Sequence, residues 1–112
     1  MTAAAQNQIQ SEVFRTLGDP TRRKLFERLA REGELTVSAL TAGSKVSQPA
    51  VSQHLAALKL AGLVSDRREG RAIHYSVKPE GLKPLVNWVE HYTQFWTDKF
   101  DDLESFLNKM DN

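Results

Sequence analysis

Residues 47–64 read SQPAVSQHLAALKLAGLV, and this stretch decides the fold. Ser47 is placed to cap a helix over 48–60, because its hydroxyl accepts a hydrogen bond from an otherwise orphaned amide of the first turn. Val51, Leu55 and Leu58 fall at i, i+4 and i+7, so they share one stripe to be buried, and Gly62 ends the helix. The opposite side carries Gln48, Pro49, Ser52, Gln53 and Lys59, a face that hydrogen-bonds more than it is charged. Amides and hydroxyls read base edges in the major groove, whereas a phosphate needs only charge or a donor.

Upstream, Thr36 caps a short helix ending at Ala42, with Val37 and Leu40 inward, and Gly43-Ser44-Lys45 makes a small polar break before the next cap. Two short helices joined by a tight break are a helix-turn-helix pattern. Asp19-Pro20 begins an earlier helix over 20–32, since Asp caps well and Pro is favoured just inside, with Leu25, Phe26 and Leu29 inward and Gly33 as its stop. Ile9, Val13, Phe14 and Leu17 recur at helical spacing up to Gly18, and residues 1–8 are expected to be a flexible tail.

Downstream of Gly62 the period drops from about 3.6 to 2, which marks strands. Leu63-Val64 leads into one strand, Glu69-Gly70 supplies a turn, and Ile73, Tyr75 and Val77 alternate with Ala72, His74 and Ser76 in a second. The tip carries Arg67, Arg68 and Arg71, suited to phosphate contact or to a narrow minor groove, and charge there also discourages edge-to-edge aggregation. Pro79 closes the hairpin. Over 80–110 a long C-terminal helix is expected, with Leu82, Leu85, Val89, Tyr92, Trp96, Leu103, Leu107 and Met110 in steps of 3 or 4 apart from one gap at Lys99 and Phe100. At 1.5 Å per residue it is about 42 Å long, more than so small a body covers, so part of it is expected to pack on a second copy.

The 112 residues, 40% hydrophobic, make one domain with a small core, for which a partner chain is a gain. The absence of cysteine excludes disulfides, thiolate metal sites, iron–sulfur clusters and thiol catalysis. No signal-peptide pattern or 18-residue apolar run occurs, which reads as cytoplasmic with no membrane partner. The net charge of +1 hides an asymmetry: residues 44–78 hold 6 basic and 2 acidic groups, and residues 79–112 hold 3 and 7. A basic centre with an acidic end fits a face that meets a polyanion.

The segments Phe14–Leu29 (FRTLGDPTRRKLFERL), Val46–Val64 (VSQPAVSQHLAALKLAGLV) and Arg67–Tyr75 (RREGRAIHY) resemble the ArsR-type family of bacterial transcriptional regulators, over about residues 10–95. The fold expected is mainly α with a β-hairpin wing, a winged helix-turn-helix with a long C-terminal dimerisation helix. The resemblance implies a homodimeric repressor on an inverted-repeat, double-stranded DNA operator, with recognition helix 48–60 and wing 64–77. It assigns base reading to Gln48, Ser52 and Gln53, and phosphate contact mainly to Ser47, Lys59, Arg67, Arg68 and Arg71. Pro49 and His54 belong to the same candidate set by position, with His54 read as a packing residue, and His74 is read as a phosphate contact. Val13, Phe14, Leu17, Leu85, Val89, Tyr92 and Trp96 are the expected dimer interface.

Many relatives bind metals through a cysteine pair in the third helix, where Thr36 and Ser38 stand here; hydroxyls are poor ligands for soft metals. The last helix offers Glu90 and His91 with no second His, and Asp98, Asp101 and Asp102 lack an imidazole partner. No metal and no cofactor is expected, and no small-molecule effector is identified. No phosphate loop, carboxylate pair near a His or nucleophile–base spacing points to an enzyme. The alternative weighed is a winged-helix protein-interaction module that uses its acidic last helix instead of binding DNA.

Overall fold

The computed structural model describes residues 2–111. Helix α1 spans Ala3–Gly18, α2 Pro20–Glu32, α3 Val37–Ala42, α4 Gln48–Leu60 and α5 Lys83–Met110. Strand β1 is Leu35–Thr36, β2 Val64–Glu69 and β3 Ala72–Val77, and a 3-10 turn over Pro79–Leu82 leads into α5. The three middle helices begin as the caps dictate. Asp19 accepts from the Arg22 amide (3.0 Å), Thr36 from Ala39 (3.1 Å) and Ser47 from Ala50 (3.4 Å). Gly62 adopts a φ of 80° just past α4, a conformation that a side chain resists, and so turns the chain into β2.

Three features depart from the sequence reading. Helix α1 starts at Ala3 rather than near Ile9, because the Thr2 hydroxyl caps it by accepting from the Ala5 amide (3.1 Å). A third strand exists, since the two residues of β1 pair antiparallel with β3, Leu35 opposite Tyr75 and Thr36 opposite His74. Helix α5 begins at Lys83, after the 3-10 turn, and runs 28 residues unbroken. That turn docks closely: a Cβ on Gly81 would collide with the Gly62 carbonyl, so the end of α4 and the start of α5 are held backbone to backbone.

One core cluster joins α1, α2, α3, α4 and the sheet: Val13, Leu25, Phe26, Leu29, Val37, Leu40, Val51, Leu55, Leu58, Leu63, Val64 and Tyr75. The sheet order is β1-β3-β2, with Val64 opposite Val77 and Glu69 opposite Ala72. Only the start of α5 joins this body, Leu82 and Leu85 packing against the core and Phe14 meeting Trp88 edge-on at 5.4 Å. Its remaining turns project outward. The Cα radius of gyration is therefore 18.9 Å, against about 13 Å for a compact chain of similar length.

Asp19 yields an acid-stability prediction. The Arg22 amide, and secondarily His54, hold its carboxyl below the ordinary value of 3.8. A carboxyl depressed by folding contributes stability that is complete above its unfolded value and lost as pH falls through its folded one. Thermal melting should thus drop as pH falls below about 4, and Asp19→Asn, which keeps the cap but not the charge, should flatten that part of the profile.

Candidate nucleic-acid interface

Burying Val51, Leu55 and Leu58 fixes the rotation of α4, and that rotation turns Gln48, Pro49, Ser52 and Gln53 to solvent. Gln48 and Ser52, one turn apart, line a cleft of about 130 Å³ together with Thr36, Ser38 and Arg71. The amide, the hydroxyls and the guanidinium thus open on one concavity between the start of α4 and the wing. By sequence Ser38 was considered only as a metal position; its place two residues after the Thr36 cap, on the exposed side of α3, is the signal that could have marked it as lining the cleft.

Strand alternation divides the wing. Val64, Asp66 and Arg68 share one face of the hairpin with Ile73, Tyr75 and Val77, and this is the face that carries the buried Val64 and Tyr75. Ser65, Arg67 and Glu69 lie on the other face with Ala72, His74 and Ser76, the Ser65 and Ser76 hydroxyls 3.3 Å apart. Among the described residues, Arg68 and Arg71 have no ion-pair partner and are exposed. Both meet the requirement for a phosphate contact.

Four other candidates are engaged within the protomer. Arg67 donates to both Glu34 carboxylate oxygens (3.1 Å from Nε to each) and to Glu69 (2.8 Å), so its charge is spent inside the molecule. The Glu34 and Glu69 bonds raise the Arg67 pKa, and Arg67 in turn holds both carboxyls below their ordinary 4.5. His74 sits between the same carboxylates, Nδ1 3.5 Å from Glu34 and Nε2 3.6 Å from Glu69, so both of its ring nitrogens face acids. Lys59 pairs with Asp66 at 2.9 Å, anchoring the end of α4 to the wing's root, and this bond raises its pKa. His54 is half-buried, its Nδ1 out of contact with solvent and 4.0 Å from Asp19, the environment of a packing residue.

The metal positions do not fit a metal. Thr36 Oγ1 is engaged as the α3 cap and Ser38 faces the cleft, so neither offers a ligand to a soft cation. Among the described residues no group of three His, Asp or Glu side chains converges on a common point. No described helix is long and apolar enough to cross a membrane.

Residues 19–66, from the α2 cap into the wing, match the model of the arsR family of bacterial regulatory proteins. The transcriptional repressor SdpR of Bacillus subtilis is 33% identical over 102 residues, covering 91% of this chain and 97% of the relative. The chain belongs to the ArsR family. The arsenic resistance regulator ArsR1 of Pseudomonas putida is 44% identical over 78 residues, a match that covers 70% of this chain and 58% of ArsR1. An ArsR-like regulator from Rhodococcus sp. RHA1 superposes with a TM-score of 0.72 at 26% identity, covering 91% of this chain and 95% of that one. ArsR membership makes this protein a DNA-binding transcriptional regulator with a winged helix-turn-helix fold, neither an enzyme nor the interaction module weighed above.

The division of labour across the ArsR interface is testable by gel shift on operator and random duplex. Gln48→Ala or Ser52→Ala should cost about 1 to 3 kcal/mol on operator and leave random-sequence affinity nearly unchanged. Arg71→Ala should weaken both alike.

Proposed function

We propose that this regulator is a homodimeric repressor that acts in the cytoplasm, placing two copies of α4 in successive major grooves of an inverted-repeat operator. The observation that carries this reading is the uncovered face of α5. Trp88, Val89, Tyr92, Phe95, Trp96 and Phe100 are all exposed, Val89 at 56% and Trp96 at 51%, and Leu103, Phe106, Leu107 and Met110 continue the stripe. Monomeric soluble proteins rarely expose so large a continuous apolar surface. Phe14, also exposed, extends the patch onto α1.

The expected interface needs one correction. Val13 is 1% exposed in the protomer's own core, and Leu17 and Leu85 pack partly against that core, so Val13 does not reach a partner. Phe14, Leu17, Leu85, Val89, Tyr92 and Trp96 keep the assignment. A two-fold dimer holds two recognition helices about 34 Å apart, which matches one turn of duplex and implies half-sites in inverted order. A single protomer would make half of the contacts.

Sedimentation and gel shift test this reading together. Val89→Glu combined with Trp96→Glu should give monomers whose operator affinity falls to the random-sequence level; a dimer with full affinity would place the interface elsewhere. With Arg67 and Lys59 spent internally, the dimer neutralises roughly 4 to 6 phosphates, so the log–log salt slope should be about −4 to −5. Zinc, cadmium or arsenite in modest excess should leave the complex intact, since Thr36 and Ser38 supply no soft ligand.

A further inference from the structure

Two carboxylates, Glu69 near the wing tip and Glu34 just before β1, stand beside a wing that approaches a polyanion, and neither can hold a phosphate. Both are bound by Arg67. In the sheet order β1-β3-β2, β1 and β2 are not neighbours, so the Arg67–Glu34 pair passes over the middle strand and ties the outer two together. His74, directly opposite Arg67 on β2 and directly opposite Thr36 on β1, lies beneath this bridge. The rung of Thr36, His74 and Arg67 is also the last at which three strands exist. Beyond it the hairpin has only the Arg68–Ile73 and Glu69–Ala72 pairs before its turn. A two-stranded ribbon twists more freely than a three-stranded sheet, so the angle of the wing tip is set where that ribbon leaves the third strand.

We propose that Arg67 is a positioning residue of the DNA interface: held by Glu34 across the middle strand and by Glu69 along its own, it fixes the angle at which the wing leaves the body, and the wing's phosphate contacts belong to Arg68 and Arg71. Arg67 lies on the face of the hairpin opposite to that of Arg68. For it to reach a phosphate, its bonds to both carboxylates must break, leaving two unpaired negative charges beside the DNA. The assigned arrangement avoids that cost, because Glu34 and Glu69 remain neutralised while Arg68 and Arg71 meet the backbone unencumbered.

The inference rests on DNA binding by this regulator, and fluorescence anisotropy of the full chain on a duplex from its own promoter, over a salt series, tests it. Arg67→Gln combined with Glu34→Gln removes the bridge at constant net charge and should weaken binding roughly 3- to 10-fold, the worth of partly exposed ion pairs, with the log–log slope unchanged. Arg68→Ala and Arg71→Ala should each lower the slope by about 1 to 2, as expected when a dimer neutralises one or two fewer phosphates. Exchanging the charges, Glu34→Arg with Arg67→Glu, in a Glu69→Gln background keeps the bridge across the middle strand without setting two carboxylates side by side, and should restore the affinity of Glu69→Gln alone to within about twofold. A slope lowered by the Arg67→Gln, Glu34→Gln pair as much as by Arg68→Ala would overturn the proposal, as would an exchange variant that binds more weakly than that pair. Should that pair fail to fold, Glu34→Gln decides by affinity: weaker binding supports the assignment, and tighter binding shows Arg67 to be a phosphate contact that Glu34 restrains. Wild-type protein that binds no duplex would overturn the DNA-binding reading and the inference together.

Discussion

Val51, Leu55 and Leu58 have no solvent-accessible surface, and α4 cannot turn about its axis without bringing that stripe into water. Exposing three such side chains costs about 5 to 8 kcal/mol, which is comparable to the entire stability of many small domains. The rotation of α4 is therefore as secure as the fold. Gln48 and Ser52 are aimed outward by the same packing that holds the core, and their cleft with Ser38 and Arg71 is assembled before any DNA arrives. Lys59 extends the constraint to the wing, since its bond to Asp66 joins the last turn of α4 to β2.

Charge on the wing is then sorted by strand geometry. Three arginines within five residues look equivalent as composition, but successive side chains of a strand point to opposite faces. Arg67 falls on the face that also holds Glu69, His74 and Glu34, where it closes an internal network; Arg68 falls on the other. The basic excess of residues 44–78 thus overstates what the interface offers to phosphate. Lys59 and Arg67 are engaged in ion pairs within the protomer, and Arg68 and Arg71 are the basic groups that stay exposed at the tip.

Much of this was legible in the sequence because it depended on local rules. The caps at Asp19, Thr36 and Ser47, the stripe on α4 and the switch to period 2 after Gly62 each have one physical meaning, and the elements formed within a residue or two of where those signals put them. What was not legible depended on partners distant along the chain. Two residues of β1 are too few to show a period. Val13 and Phe14 are adjacent apolar residues, and only the packing of α2 decides that Val13 enters the core while Phe14 turns toward Trp88. The division between Arg67 and Arg68 was within reach, since the Gly70 turn sets Glu69 opposite Ala72 and the parity of every other pair follows; the acidic partner Glu34, 33 positions away, was not.

The distribution of aromatic residues gives α5 its significance. Of the nine Phe, Tyr and Trp side chains, Phe26 and Tyr75 are buried in the body, and Phe14, Trp88, Tyr92, Phe95, Trp96, Phe100 and Phe106 are exposed. A protein optimised to fold alone would place its largest apolar groups in its own core, where each contributes most. Here they extend along one projecting helix, ring against ring from Phe14 through Trp88 to Tyr92 and from Phe95 through Trp96 to Phe100. Seven half-exposed aromatics amount to on the order of several hundred Å² of apolar surface, near or above the largest patch a typical monomer tolerates. The aliphatic core of the body suffices to orient α4 and the wing, and the aromatic face is the surface we assign to the second copy. On that assignment the separation of the two reading heads is set by the packing of α5 helices, and it is independent of the contacts that orient each head within its own protomer.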